Sequence, residues 1–300
     1  MSSVLDPAGS GAVEVARLFW AMAAVATVIW LIVTALTIHA VRQRKSTWSD
    51  RAGARLIAIG GAAVPAIALL LLLLSGMPVL SRQVAPAPPG ALRVHVAGEQ
   101  WWWRISYEVG NQRVELANEL RLPRGRPTEV ILSSADVIHS FWVPALAGKV
   151  DMIPGRTTRL TLEPLEAGTF RGVCAEYCGA SHARMALVVA VMEPAEFETW
   201  LVAQASPAMP SADARAFTTA GCGACHSVRG TAAGGTIGPD LTHVGSRLSL
   251  AAGVLANSPA DAERWIASPQ HIKPGALMPP FGMLPANDVQ QIVTYLQALR

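Results

Sequence analysis

The sequence predicts a membrane-anchored multidomain chain: two transmembrane helices, then an all-β sandwich or barrel, then an all-α domain. Three observations predict it. Two long stretches, 18–41 and 56–80, contain no Asp, Glu, Lys or Arg. The middle of the chain alternates short β-branched segments with Pro/Gly turns. The final third carries helix-cap signals and an amphipathic repeat.

The net charge of +3 is unevenly placed. From residue 92 onward there are 17 Lys+Arg against 18 Asp+Glu, so the positive excess belongs to the first third. The basic folded face that nucleic-acid binding needs is therefore not expected. Arg42, Arg44, Lys45, Arg51 and Arg55 cluster between the apolar runs, opposed only by Asp50. By the positive-inside rule that loop is cytoplasmic, and the N-terminus and everything after residue 80 lie outside. The first run has 24 residues. At about 1.5 Å per residue it crosses a hydrocarbon core of about 30 Å with some tilt. The second run contains Pro65 and Pro78, which membrane helices tolerate when neighbours satisfy the freed carbonyls. A buried soluble hairpin is the alternative, and two runs of this length argue against it. Residues 1–14 are polar and Gly-rich without a basic n-region, so no intact signal peptide is expected. Residues 1–91 thus comprise a tail, a transmembrane hairpin and the stiff linker Val84-Ala-Pro-Ala-Pro-Pro-Gly90.

Strand-like segments at 92–96, 130–132, 157–162 and 186–191 define a β domain over 92–202, closed by a short helix from Pro194. A second linker, 203–212, contains Ser-Pro-Ala-Met-Pro-Ser; the remainder, 213–300, reads as helical. Ser258-Pro259-Ala-Asp261 has the cap and first-turn residues of a helix running to about residue 267. Asn287-Asp-Val-Gln290 resembles a capping box, with Val289, Ile292, Val293 and Leu296 on one helical face behind it.

The chemistry concentrates in Cys174-Ala-Glu-Tyr-Cys178-Gly-Ala-Ser-His182-Ala-Arg-Met185, with His139 upstream in Asp136-Val-Ile-His-Ser-Phe-Trp-Val-Pro144. Two thiolates, two imidazoles and a thioether form a soft ligand set that selects copper over hard cations. Two Cys and two His also satisfy tetrahedral zinc, although a methionine has no role there. A mononuclear blue-copper site takes one Cys, two His and a weak axial Met. This loop holds that set plus a second Cys, which makes sense when both sulfurs bridge two coppers. Disulfides are the other use of four cysteines. Each pair, Cys174/Cys178 and Cys222/Cys225, instead sits among other ligands at a spacing too short for a structural staple.

The metal loop, the His139 segment and Lys149-Val-Asp-Met-Ile-Pro-Gly-Arg156 resemble subunit II of haem–copper cytochrome c oxidases, from the first apolar run to about residue 200. The resemblance implies a cupredoxin fold and a binuclear mixed-valence copper centre, CuA. By position its ligands are His139, Cys174, Cys178, His182, Met185 and the backbone carbonyl of Glu176. It implies a second use of the Glu176 side chain, in a magnesium site shared with subunit I. It also implies electron entry through an exposed tryptophan, which maps to Trp101 in Gln100-Trp-Trp-Trp103. Core packing of one or two of these tryptophans is the alternative, because side chains alternate along a strand. One departure stands out: 55–65 holds no acid to mark a proton-entry path.

Cys222-Gly-Ala-Cys225-His226 is a c-type haem attachment sequence, with the thiols for the vinyl groups and His226 as proximal ligand. A redox dithiol is the alternative for the cysteines alone. Met278, in Leu277-Met-Pro-Pro-Phe281, is the expected second axial ligand, since this stretch resembles the methionine loop of class I cytochromes c. Met283, Met209, His243 and His271 are the other candidates. Ile237-Gly-Pro239 resembles the segment whose proline carbonyl orients the proximal histidine in that family. Met/His ligation raises the haem potential, which suits a donor to copper.

Together the resemblances imply subunit II of a caa-type terminal oxidase. Electrons would run from an external donor, such as a cytochrome c or a quinol–cytochrome c reductase, to haem c, then CuA, then subunit I. That partner would reduce O2 with proton translocation. Other oxidase subunits and the membrane are the further partners implied. The implied location is the bacterial plasma (inner) membrane, with the N-terminus and both cofactor domains on the periplasmic side. A nitric oxide reductase using the same relay and a non-enzymatic copper-binding protein are the alternatives; the latter has no use for a haem. A quinol oxidase subunit of this fold would lack the copper ligands.

Overall fold

The computed structural model describes residues 5–43, 49–110, 112–209 and 212–300. Arg44 and Lys45 of the basic loop, and Pro210 and Ser211 of the second linker, lie outside the described residues.

The first apolar run lies in α1 (Ser10–Arg42). This helix is longer than 18–41 because the apolar stretch marks only the part that fits lipid, and no proline stops the helix on either side of it. The second run lies in one continuous span of α2 (Asp50–Ala58), a π-helical turn (Ile59–Ala63) and α3 (Val64–Val84). Ser49 caps α2 by accepting from the Ala52 N–H. The π turn has a local cause. Pro65 lacks an N–H and its ring crowds the carbonyl four residues back, and a wider turn relieves both. The Val64 N–H accordingly reaches back to Ile59 O. The most apolar windows of both spans contain no buried residue, as expected of surface meant for lipid.

The β domain is a two-sheet sandwich. One sheet runs β3 (Gln112–Ala117), β2 (Trp102–Val109), β1 (Leu92–Glu99), β5 (Thr128–Ser134), β8 (Thr158–Leu162). The other runs β4 (Glu119–Pro123), β10 (Ala186–Met192), β9 (Gly168–Cys174), β6 (His139–Trp142), β7 (Val150–Met152). The β1–β5 and β4–β10 pairs are parallel and the others antiparallel. Period-2 alternation directs Val94, Val96, Trp103 and Ile105 from one sheet, and Leu120, Leu122, Phe141 and Val189 from the other, into a shared core. Helix α4 (Pro194–Ala205) adds Phe197 and Leu201 to that core. The three tryptophans do not share one strand: Trp101 sits in the turn between β1 and β2, Trp102 is half-buried, and Trp103 is fully buried.

The C-terminal domain packs α5 (Arg215–Thr219), α6 (Pro259–Ala267), α7 (Pro269–Ile272) and α8 (Ala286–Ala298) around Phe217, Val228, Ile266 and Tyr295. A small hairpin of β11 (Ser249–Leu250) and β12 (Leu255–Ala256) sits beside them. Ser258 caps α6 as expected, its hydroxyl accepting from the Asp261 N–H at 3.2 Å. The capping box expected at 287–290 does not form. Helix α8 starts two residues earlier than a cap at Asn287 implies, behind Pro285, so Asn287 already lies inside the first turn and its side chain cannot serve as the cap.

The N-terminal tail is not free. Ala8 N donates to Ala145 O at 2.7 Å, Ser10 N to Glu163 O at 3.0 Å and Ala12 N to Leu146 O at 3.1 Å. Gly9 is needed there, because a Cβ would stand 2.4 Å from Leu146 O. The outer end of α3 joins the same patch: Gln83 Oε1 accepts from Gly148 N at 2.8 Å, and Arg82 pairs with Glu14 at 2.9 Å. Both outer ends of the hairpin therefore meet the sandwich, on the side opposite the basic loop.

Candidate metal and haem centres

Strand β9 ends at Cys174 and β10 begins at Ala186, and the loop between them is drawn closed by Cys174 N donating to Met185 O at 3.1 Å. The sulfurs of Cys174 and Cys178 lie 3.8 Å apart, far beyond a disulfide bond of about 2.0 Å, so both thiols are free. Around them stand Met185 Sδ, 3.8 Å from Cys178 Sγ, and His182 Nδ1, 3.6 Å from Cys178 Sγ. Glu176 O is 3.2 Å from Cys174 Sγ, while Glu176 itself is exposed. His139 arrives from β6. Its Nε2–H donates to Asp136 Oδ1 at 2.8 Å, which leaves Nδ1 as the free ligand atom, 3.8 Å from Cys174 Sγ. Room for this ring comes from Gly98 on β1, where a Cβ would lie 2.7 Å from His139 Cδ2.

The two buried thiols push each other's acidity in opposite directions. Cys174 is pulled well below the usual thiol range, first by the hydrogen bond from Cys178. Cys178 is pushed up, first by its bond to Cys174 and then by burial. Burial lowers the His139 pKa, but its bonds to Cys174 and Asp136 outweigh that and raise it. Free thiols, an imidazole with its second nitrogen already engaged, a thioether and a carbonyl in one buried cluster fit a soft metal centre.

The second centre is a cavity of about 700 Å³ between the two domains. Cys222, Cys225, His226 and Met278 line it from the helical side, Trp101 and Asp136 from the sandwich. His226 Nδ1–H donates to Pro239 O at 2.8 Å, leaving Nε2 free to ligate. Gly238 permits this, since a Cβ would stand 2.5 Å from His226 Cε1. Burial lowers the His226 pKa, which keeps the ring neutral and competent as a ligand. Among the alternatives to Met278, Met283 and Met209 are 76% and 87% exposed and His271 is exposed. His243 does not line the cavity, and its Nε2–H donates to Ser206 O at 3.1 Å. The size of the cavity, its largely apolar lining, its two thiols and its two candidate axial side chains fit a covalently attached haem.

Trp101 joins the two sites. Its Nε1–H donates to Cys178 O at 2.9 Å, an acceptor shared with Gln100 Nε2 at 2.7 Å. Gly179 of the metal loop lies against one part of the indole, and a Cβ there would be 3.2 Å from Trp101 Cζ2. Gly275 of the helical domain lies against another, where a Cβ would be 2.5 Å from Cη2. The resemblance implied an exposed tryptophan here; Trp101 is only 9% exposed, because the chain's own helical domain covers it. Further bonds cross the same interface. Ser181 Oγ donates to Pro274 O and Arg184 Nη1 to Ile272 O, each at 2.7 Å. Ala186 N donates to Ala252 O at 3.1 Å, and Leu248 N to Glu119 Oε2 at 2.7 Å.

Residues 108–192 match the family described as cytochrome c oxidase subunit II, periplasmic domain, and 211–300 match cytochrome c. Cytochrome c oxidase subunit 2 of Alkalihalophilus pseudofirmus is 36% identical over 213 residues, 69% of this chain and 61% of the relative. Alternative cytochrome c oxidase subunit 2 of Bradyrhizobium diazoefficiens is 34% identical over 154 residues, 42% of this chain and 56% of the relative. The solved periplasmic domain of cytochrome oxidase subunit II from Bradyrhizobium japonicum is 31% identical, with a TM-score of 0.38. That match covers 40% of this chain and 96% of the other. The chain contains the periplasmic domain of the cytochrome c oxidase subunit II family. It carries a cytochrome c domain fused behind the subunit II domain, and its two apolar helices make it membrane-anchored. It spans about three fifths of the length of the curated relatives it matches.

In this chain, the six positions expected around copper converge on one cluster and the four expected around haem on one cavity. Four neighbours were not legible in the sequence: Asp136, Gln100, Lys273 and Gly275. Lys273 offered one signal, being among only three lysines in the chain and five residues before Met278.

Proposed function

We propose that this chain is the electron-transfer subunit of a haem–copper terminal oxidase. It would pass electrons from a c-type haem to a binuclear copper centre, and from there to a catalytic subunit that reduces O2 to water with proton translocation. Cys222 and Cys225 would attach the haem, with His226 and Met278 as its axial ligands. His139, Cys174, Cys178, His182, Met185 and the Glu176 carbonyl would hold the copper. When bound, these groups supply reversible one-electron chemistry, and neither site needs an open position for substrate.

The observation that carries this reading is the Trp101 indole, which lines the cavity and hydrogen-bonds the carbonyl of Cys178. The protein's own part is positional. Pro239 holds His226 in one tautomer and Asp136 holds His139, so ligand geometry is set before any electron arrives. Trp103 and Phe141 wall the copper cluster in a rigid core that limits reorganisation. The exposed Glu176 carboxylate is the group that would reach a magnesium site shared with the catalytic subunit. The domain limits that go with this assignment are 92–202 for copper and 213–300 for haem. The setting is a bacterial plasma membrane with both domains on its outer face, supplied by an external cytochrome c or a quinol–cytochrome c reductase.

The test is Cys174→Ser in the assembled complex. The expected result is a haem c that is retained and still reduced by donor, with O2 consumption lost. O2 consumption at the wild-type rate in a variant that has lost copper overturns the relay.

A further inference from the structure

Lys273 is 3% exposed, and among the described residues no carboxylate pairs with it. Its ammonium donates to two main-chain oxygens: Trp101 O in the sandwich, and Ala251 O at 3.3 Å in its own domain. A buried ammonium without a paired carboxylate is costly, and an apolar chain of similar length would fill the space at lower cost. Burial pushes its pKa down to about 7. The acceptor side is unusual too. Ala251 and Ala252 have φ of 51° and 60°, a left-handed conformation that non-glycine residues seldom adopt. That turn points successive carbonyls at Lys273 and at Ala186 N, next to Met185. Two residues after Lys273, Gly275 meets the outer edge of the Trp101 ring at φ of 83°, where a Cβ would stand 2.5 Å from Cη2 and 2.6 Å from Cζ3.

We propose that Lys273 and Gly275 are positioning residues that seat the Trp101 indole against the copper-ligand loop, Lys273 by holding the Trp101 carbonyl and Gly275 by closing on the outer edge of the ring. The helical domain is thereby docked as one unit with the sandwich instead of swinging on its linker. The inference rests on the electron-transfer reading for its purpose, though not for its geometry. Two properties follow. Transfer between the two centres is first-order in the chain, and it is insensitive to ionic strength because the contact is buried.

The test uses the full chain with its cofactors, as wild type, Lys273→Met and Gly275→Ala. Hydrogen exchange is followed in the peptides spanning 98–106 and 176–186, and haem-to-copper electron transfer after flash reduction is followed against salt. In both variants the expected result is unchanged haem and copper spectra. Exchange in both peptides should rise about tenfold or more, the protection that a hydrogen bond to a charged group supports. Transfer should slow and become salt-dependent. Exchange and transfer within about twofold of wild type in both variants overturn the proposal. Gly275→Ala keeps the lysine, so a folding defect peculiar to Lys273→Met cannot mimic the result. If the wild type shows no haem-to-copper transfer, the electron-transfer reading fails, and the exchange data still decide whether Lys273 and Gly275 seat Trp101.

Discussion

Replacing Asp136 by Asn probes the copper cluster without touching a ligand. The carboxylate accepts three hydrogen bonds: Oδ2 from Gln100 N at 2.6 Å, and Oδ1 from Val137 N at 2.6 Å and His139 Nε2 at 2.8 Å. Asparagine has the same shape but one acceptor oxygen. With that oxygen toward His139, its NH2 group faces the Gln100 N–H. With the amide flipped, the NH2 faces His139 Nε2–H and drives the proton to Nδ1, the atom that faces Cys174. Either orientation strands a donor, which costs about 1–3 kcal/mol when buried. The Asp136 side chain is 32% exposed, so water relieves part of the loss. About 1–2 kcal/mol then remains, equivalent to copper held about 5- to 30-fold more weakly. That overlaps the range of about 10- to 100-fold known for residues that support metal-bound histidines. The assay is a competition titration of copper against a chelator on the full chain, with a parallel melt of the copper-free protein. Copper affinity within about twofold of wild type would refute the reasoning. So would a loss of copper-free stability large enough to account for the whole change.

Three further outcomes follow from the same geometry. Gly238→Ala puts a Cβ 2.5 Å from His226 Cε1 and forces the ring off Pro239 O. It should destabilise the helical domain by about 1–3 kcal/mol and lower the yield of covalently attached haem, read from denatured-gel haem absorbance. Lys273, held down to about 7 from 10.5, gives a signed pH effect. Between those values the unfolded chain holds a proton that the folded chain has released, so stability rises with pH across the window and is lost as pH falls through about 7. Lys273→Met should flatten that slope, checked by melting temperatures of the helical domain from acid to alkaline pH. Gly9→Val collides with Leu146 O and should release the tail from the sandwich, seen as new protease cleavage near residue 9 while the copper spectrum persists.

The order of elements and the donor sets were legible because each rests on local signals. Charge-free runs mark spans, period-2 alternation marks strands, and Cys-x-x-Cys-His marks haem attachment within a few residues. What stayed hidden depends on contacts distant in sequence. Gly98 shows its purpose only when β1 passes behind His139, and Gly238 only when its loop crosses the His226 ring. Asp136 was quoted beside His139, yet its bond to the N–H preceding Trp101 requires the turn after β1. The exposed-tryptophan expectation failed at Trp101 for the same reason. A resemblance to one domain cannot report what a second domain lays on top of it.

That covering leaves little for long-range charge steering to do, although Arg247 of the helical domain stands within electrostatic reach of Glu119 and Glu115 of the sandwich. A separate donor must find its site by diffusion, and complementary charge steers it there. A tethered domain has no such search. A short linker holds it at an effective concentration on the order of millimolar. An interface worth only about −5.5 kcal/mol, equivalent to a dissociation constant of about 0.1 mM, would then be closed about nine-tenths of the time. Several hydrogen bonds at about 1 kcal/mol each, together with one covered indole, reach that figure. The bonds found here meet it in an economical form, since Trp101, Ala252, Ile272 and Pro274 all accept through main-chain oxygens.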